Sequence, residues 1–125
     1  MGEALNKFRD LMKFCIFFIA SDKQSEETVK EIITICTEYI YFMRIHLISE
    51  ECKKDKVKYA ELYCLMTICN KKCLIHNFLI FRKAKQVCKN IKNFITALTF
   101  IKKLLPMQSE VKNILYKKFL ILIII

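Results

Sequence analysis

The sequence predicts an all-α protein, and three observations carry that prediction. The 125 residues contain one glycine and one proline, so tight hairpins lack the residues they normally use. Apolar residues recur at helical spacing in several stretches. From Ser25 to Cys52 neither Gly nor Pro interrupts the chain, so nothing local stops a long helix there. Apolar residues make up 54% and charged residues 27%, a balance that excludes global disorder and suits one domain with a modest core. The apolar share is high for a small monomer, which implies that part of it faces a partner.

Each element has its own signal. Ala4 to Ile16 reads as a short amphipathic helix, with Leu5, Phe8, Leu11, Met12 and Cys15 on one side. A loop with Ser21 and Asp22 follows. Ser25 is the expected cap of the long helix, with Glu26 and Glu27 at the positive end of its dipole. Val29, Ile32, Ile33, Cys36, Ile40, Met43 and Leu47 form one apolar strip, and Ile35, Tyr39 and Phe42 a second. Two strips imply a central helix crossed on both sides.

The interruption comes at Lys53 to Lys58, a strap with four lysines in six positions. A shorter helix then places Leu62, Leu65, Met66 and Cys69 inward, with Asn70 expected as a left-handed C-cap. Leu74 to Lys85 suggests another short helix. Gln86 to Leu105 reads as a separate amphipathic helix, in which Val87, Ile91, Phe94, Ile95, Leu98, Ile101 and Leu105 oppose Lys89, Lys92, Lys102 and Lys103. Pro106 is expected to end it, and a last helix to start at Glu110 under a Ser109 cap. The apolar tail from Phe119 to Ile125 suits a core, a membrane contact or a sticky end.

Charge is distributed unevenly. Residues up to Glu61 sum to −1, whereas from Leu62 onward twelve basic residues face one acid, Glu110. Such asymmetry favours a polyanionic partner, nucleic acid or an anionic membrane surface, over a merely solvated face. The odd count of seven cysteines, with Cys36, Cys64 and Cys88 at apolar helical positions, favours reduced thiols. The rival is a secreted chain in which Lys13 to Ser21 serves as a short signal segment. No run reaches the roughly 18–20 apolar residues of a membrane span.

Four pieces, in order, then resemble the histone-fold B subunits of the CCAAT-binding nuclear factor Y, the plant type most closely. They are NKFRDLMK, SDKQSEETVKE, TEYIYFM with SEEC, and VKYAELYCLMTICNKKCLIHNFLIF. The resemblance covers roughly residues 4–83 and implies a histone fold: short helix, long central helix, short helix, with additional C-terminal helices. Residues 84–125 are then a basic amphipathic helix and hydrophobic tail. The basic strap is shorter than in that family and contains Asp55, and the segment from Lys85 onward has no counterpart there.

The resemblance implies a nuclear transcription-factor subunit that heterodimerises with a C-type histone-fold partner. Together with an A-type subunit it would contact double-stranded DNA in a CCAAT-binding complex. Dimerisation would use Ile32, Cys36, Ile40, Met43, Leu47, Leu62, Leu65 and Met66, though an ordinary monomeric core explains the same residues. Phosphate contacts would come from Lys23, Lys53, Lys54, Lys56 and Lys58, and Lys54 and Glu61 match the family's salt bridge. Alternatives are a paralogue that only dimerises and competes for partners, and a basic helical membrane-associated or secreted protein. Cys64, Cys69, Cys73 and His76 do not have zinc-knuckle spacing, so no metal is expected. His46 is expected on a helix surface. No cofactor is expected, and with no phosphate loop, Cys–His signature or carboxylate pair, no catalysis.

Overall fold

The computed structural model describes residues 1–69 and 71–124, with side-chain surroundings given through residue 121. Among these residues there are five helices and no strand: α1 (Gly2–Phe17), α2 (Lys23–Glu51), α3 (Lys56–Ile68), α4 (Leu74–Asn90) and α5 (Phe94–Ile124). The chain is all-α. It divides into two compact units, Met1–Lys72 with α1 to α3, and Cys73–Ile125 with α4 and α5. Residue 84, the boundary expected from sequence, lies inside α4.

In the first unit α2 is the shared element, packing on both α1 and α3. Its N-cap is Asp22, three residues ahead of the expected Ser25. The Asp22 carboxylate accepts the Ser25 N–H at 2.6 Å and satisfies an orphan donor of the first turn. Phe8 of α1 stacks on Tyr39 at 5.2 Å between ring centroids, close to parallel. Leu5 and Cys15 of α1 are buried, as are Cys36, Phe42 and Met43 of α2. Each fully buried apolar side chain contributes about 1.5–3 kcal/mol before the entropy of ordering is charged against it.

Half of the lysine-rich strap is helix. The loop spans only Cys52 to Asp55, and Lys56 and Lys58 lie in the first turn of α3. Asp55 is the N-cap: its carboxylate accepts the Lys58 N–H at 3.1 Å. An acid there also faces the positive end of the α3 dipole. Inward on α3 are Ala60, Tyr63 and Met66, whereas Leu65 is half exposed and Leu62 only half-buried. The inward set is therefore rotated from the expected one: the side chains that reach α2 are one residue out of phase at Tyr63.

Asn70 lies outside the described residues, and the C-terminus of α3 is closed by Lys71. This lysine is buried, and its Nζ donates to the carbonyls of Met66 and Cys69, both at 2.6 Å. The ammonium also lies 5.4 Å from the Phe42 ring centroid, within cation–π range. Burial pulls its pKa below the usual lysine value. His46 is not on the open surface. It is half-buried between Phe42 and Tyr63, and its Nδ1 is enclosed without a hydrogen-bond partner.

Among the described residues α2 is the one helix long and apolar enough to cross a membrane, although it holds no unbroken apolar run of that length. Its Cys36, Tyr39, Phe42 and Met43 are buried in the unit, as in the core helix of a compact domain.

The second unit is a helical hairpin. Ile80, Phe81, Ala84, Val87 and Cys88 of α4 are buried, as are Ala97, Phe100 and Val111 of α5. The Phe81 and Phe100 rings meet at 5.7 Å. The helix expected over Gln86–Leu105 is broken in two at Ile91–Asn93. Lys92 adopts a left-handed conformation (φ 61°), its N–H bonds the Lys89 carbonyl, and the Asn93 N–H bonds the Cys88 carbonyl, both at 2.9 Å. This pair of bonds is a Schellman stop, made here by lysine where glycine is usual. The Asn93 side chain then caps α5, accepting the Thr96 N–H at 3.2 Å. Pro106 does not end α5. The helix runs through it to Ile124, with Pro106 on the exposed side, so Ser109 is not a cap.

Candidate protein-interaction surfaces

Each unit leaves large apolar side chains uncovered. In the first, the end of α1 and the following turn expose Phe14, Ile16, Phe17 and Ile19, the last at 89%. Beside them is a cleft of about 400 Å³, floored by Leu11, Cys15, Val29 and Ile32 and edged by Asp22, Ser25 and Thr28. The Ser25 amide holds the Asp22 carboxyl below the usual carboxylate range. This rim therefore stays anionic. Burial pushes the Cys36 thiol up, with Cys15 adding to the shift. No disulfide forms among the described residues.

In the second unit α5 has two apolar faces. One, with Ala97, Phe100 and Val111, packs on α4. The other runs at alternating spacings of three and four: Phe94, Leu98, Ile101, Leu105, Gln108, Lys112, Leu115 and Phe119. Its apolar members are all exposed, from 38% at Ile101 to 63% at Leu105. That spacing keeps a stripe along one side of the helix, flanked by the exposed Ile95, Tyr116 and Leu120, and such a stripe is how a helix meets another helix. Next to it a groove of about 420 Å³ opens between Phe78, Arg82 and Lys85 of α4 and Ile101, Leu104, Leu105 and Gln108 of α5. Ten lysines and arginines face a single acid, Glu110, in residues 73–125, a net charge of +9 that leaves +1 for residues 1–72.

The residues singled out from sequence are distributed as follows. Cys36, Met43 and Met66 are buried within the chain, Ile32, Ile40, Leu47 and Leu62 are half-buried, and Leu65 is exposed. Lys23 opens α2. Lys53 pairs with Glu50 at 2.5 Å, and that hydrogen bond raises its pKa. Lys54, Lys56 and Lys58 are exposed around the start of α3. No ion pair joins Lys54 to Glu61 among the described residues. Lys72 reaches back to Glu31 at 2.5 Å, so the first unit compensates much of its charge internally. Among the described residues no three His, Cys, Asp or Glu side chains converge as metal ligands. Sequence reasoning placed Phe94, Leu98, Ile101 and Leu105 on one face with the packed Val87 and ended that helix at Pro106, so it missed the stripe's continuation to Phe119. The signal available was the lysine–asparagine pair at Lys92–Asn93, a polar break that shifts the helical phase.

The described residues are helical with uncovered apolar faces, the kind of surface by which proteins meet one another. Similarity to known proteins makes it specific: residues 1–119 match the family model of the C-terminus of the coatomer (COPI) alpha subunit, and the chain belongs to that family. It is 32% identical over 113 residues to coatomer subunit alpha-1 of Arabidopsis thaliana. It is 31% identical over 114 residues to coatomer subunit alpha-3 of Oryza sativa subsp. japonica, and over 112 residues to coatomer subunit alpha of Dictyostelium discoideum. These alignments cover 88%, 89% and 85% of this chain but only 9% of each relative. The family and these relatives are named for a coat subunit and not for an enzyme.

This overturns the nuclear factor Y resemblance and what it implied. The chain is not a histone-fold transcription-factor subunit, and its C-type, A-type and DNA partners and nuclear location fall with that resemblance. The family match also runs through the segment from Lys85 onward, for which the resemblance offered nothing. The short–long–short helix order of α1 to α3 is real, but it is a generic arrangement. Here α1 and α3 of the same chain both pack on α2, and Cys36, Tyr39, Phe42 and Met43 are buried without a second chain.

Proposed function

We propose that this chain acts as a docking domain of the COPI coat, joining the coatomer alpha subunit to another coat subunit on the cytoplasmic side. The observation that carries this is the exposed apolar surface in each unit of a family whose relatives are named as coat subunits. Large uncovered apolar patches on a soluble helical domain mark protein interfaces. With no enzymatic role, burial of those faces is the work left for the domain to do.

The test is co-expression of the chain with the remaining coatomer subunits, followed by affinity capture and size-exclusion chromatography. The expected result is stable co-elution with at least one subunit at a fixed stoichiometry. A folded, monomeric chain that co-elutes with none of them overturns the proposal.

A further inference from the structure

The second unit carries information about the chemistry of what it binds. We infer that the exposed stripe of α5, with the groove beside it, receives an acidic amphipathic helix of a partner protein. This inference rests on the docking role proposed above and narrows it to one face and one kind of ligand.

Three observations select that occupant. The three-four spacing of the stripe is the seam of a helix–helix contact, in which apolar side chains of one helix enter gaps of the other. The groove adds a place for a larger anchor: its floor is Phe78, Ile101 and Leu104, and its α4 wall carries Arg82 and Lys85. An apolar side chain flanked by carboxylates fills that shape and charge together. Finally, the unit's net charge of +9 attracts an acidic segment and repels a basic one.

The same observations argue against other occupants. A second copy of this chain would bring +9 against +9, with Lys112 near the middle of the seam. An anionic bilayer would match the charge. However, Gln108 and Lys112 interrupt the centre of the stripe, and acyl chains cannot satisfy them. A protein helix can, by placing a carboxylate opposite Lys112. One polar residue inside an apolar seam is also the usual means of fixing register.

The experiment uses the full chain and two synthetic helical peptides with leucines in a three-four repeat, flanked in one by glutamate and in the other by lysine. Anisotropy titrations read binding, and light scattering reads self-association. The glutamate peptide is expected to bind, weakening at least tenfold between 50 and 300 mM salt and at least tenfold in the Arg82→Glu/Lys85→Glu variant. In Lys112→Glu, affinity is expected to return when one peptide glutamate is changed to lysine. Circular dichroism of each variant establishes that it is folded, and if the double variant unfolds, the Lys112 charge swap on exposed surface decides alone. Equal binding of both peptides, binding only to vesicles of phosphatidylcholine and phosphatidylserine, or a dimer on light scattering each overturns the inference. If the variants still join coatomer normally, this inference fails while the docking role stands. If the unaltered chain joins no coat subunit, the docking role itself fails.

Discussion

Removing the Phe100 ring tests whether the α4–α5 hairpin has a core of its own. Phe100 is 6% exposed and meets Phe81 at 5.7 Å between centroids, with Ala84 and Ala97 also buried in this hairpin. Small residues let helices approach closely, so there is little slack for neighbours to collapse into the space a lost ring leaves. Phe100→Ala therefore costs about 3–5 kcal/mol, roughly 1 kcal/mol of which is the aromatic pair. A unit of about 50 residues holds roughly 3–8 kcal/mol at typical stability per residue. The substitution thus removes most of it.

The assay is native-state hydrogen exchange read by mass spectrometry on peptides from α4 and α5. A loss of about 4 kcal/mol corresponds to roughly a thousandfold fall in protection. Phe100→Leu, which keeps most of the volume, is expected to lose about tenfold. Unchanged protection of α4 peptides in Phe100→Ala would refute the packing argument, because α4 would then not depend on the ring buried beside it.

Three further outcomes follow, two from single residues and one from a set of titrating groups. Lys92→Gly relieves the left-handed strain at the α4–α5 turn and is expected to stabilise by about 0.5–1 kcal/mol in urea melts, whereas Lys92→Val destabilises. Asp55→Ala removes the α3 cap and is expected to cost about 1 kcal/mol, with Asp55→Asn recovering most of it. Alkaline stability has a worked sign. Burial, chiefly, raises the pKa of Cys36 and Cys69 above 9.0 and of Tyr63 above 10.0. Their contribution is complete below those values and lost as pH rises through the folded-state values. Lys71 is depressed below 10.5, so it contributes in the opposite sense as pH approaches that value. Three acids against one base give a falling urea midpoint from pH 9 to 11, shallower in Tyr63→Phe and steeper in Lys71→Met. A midpoint that is flat in this range contradicts the assignment.

How much of this was legible in the sequence depended on whether the cause was local. The helical class was legible, because glycine and proline scarcity acts on every residue. The long helix and the break after it were also legible. The caps were less so. Ser25 and Asp22 are both good capping residues three apart, and the one that wins is set by where the chain leaves α1. Asp55 looked like an intrusion in a basic loop, yet its value is to the helix behind it. The Lys92 stop was signalled only by the polar Lys92–Asn93 pair, since a lysine in left-handed conformation is a tertiary choice, and missing it put two helices in one phase. Pro106 was read by its propensity alone; packing of Phe100 and Val111 on either side of it carries the helix past. The resemblance went astray for a related reason. It rested on four short motifs over residues 4–83, each weak alone, and had no counterpart for the segment from Lys85 onward.

That second unit changes the meaning of the charge. Read along the chain, a basic half suggested a polyanion such as DNA. In the structure the excess does not sit on the strap between α2 and α3, where Glu50 engages Lys53 and Asp55 caps α3. It sits on a helical hairpin whose single acid cannot balance ten basic residues, alongside an apolar seam. Nucleic acid has no use for the seam, because phosphate contacts are made by exposed cations and buried apolar area adds nothing to them. An acidic helix uses both: carboxylates speed and orient its approach over roughly 10 Å, and the seam then holds it by burial once water is excluded. The coincidence of seam and charge on one hairpin therefore favours a protein ligand over a polyanion.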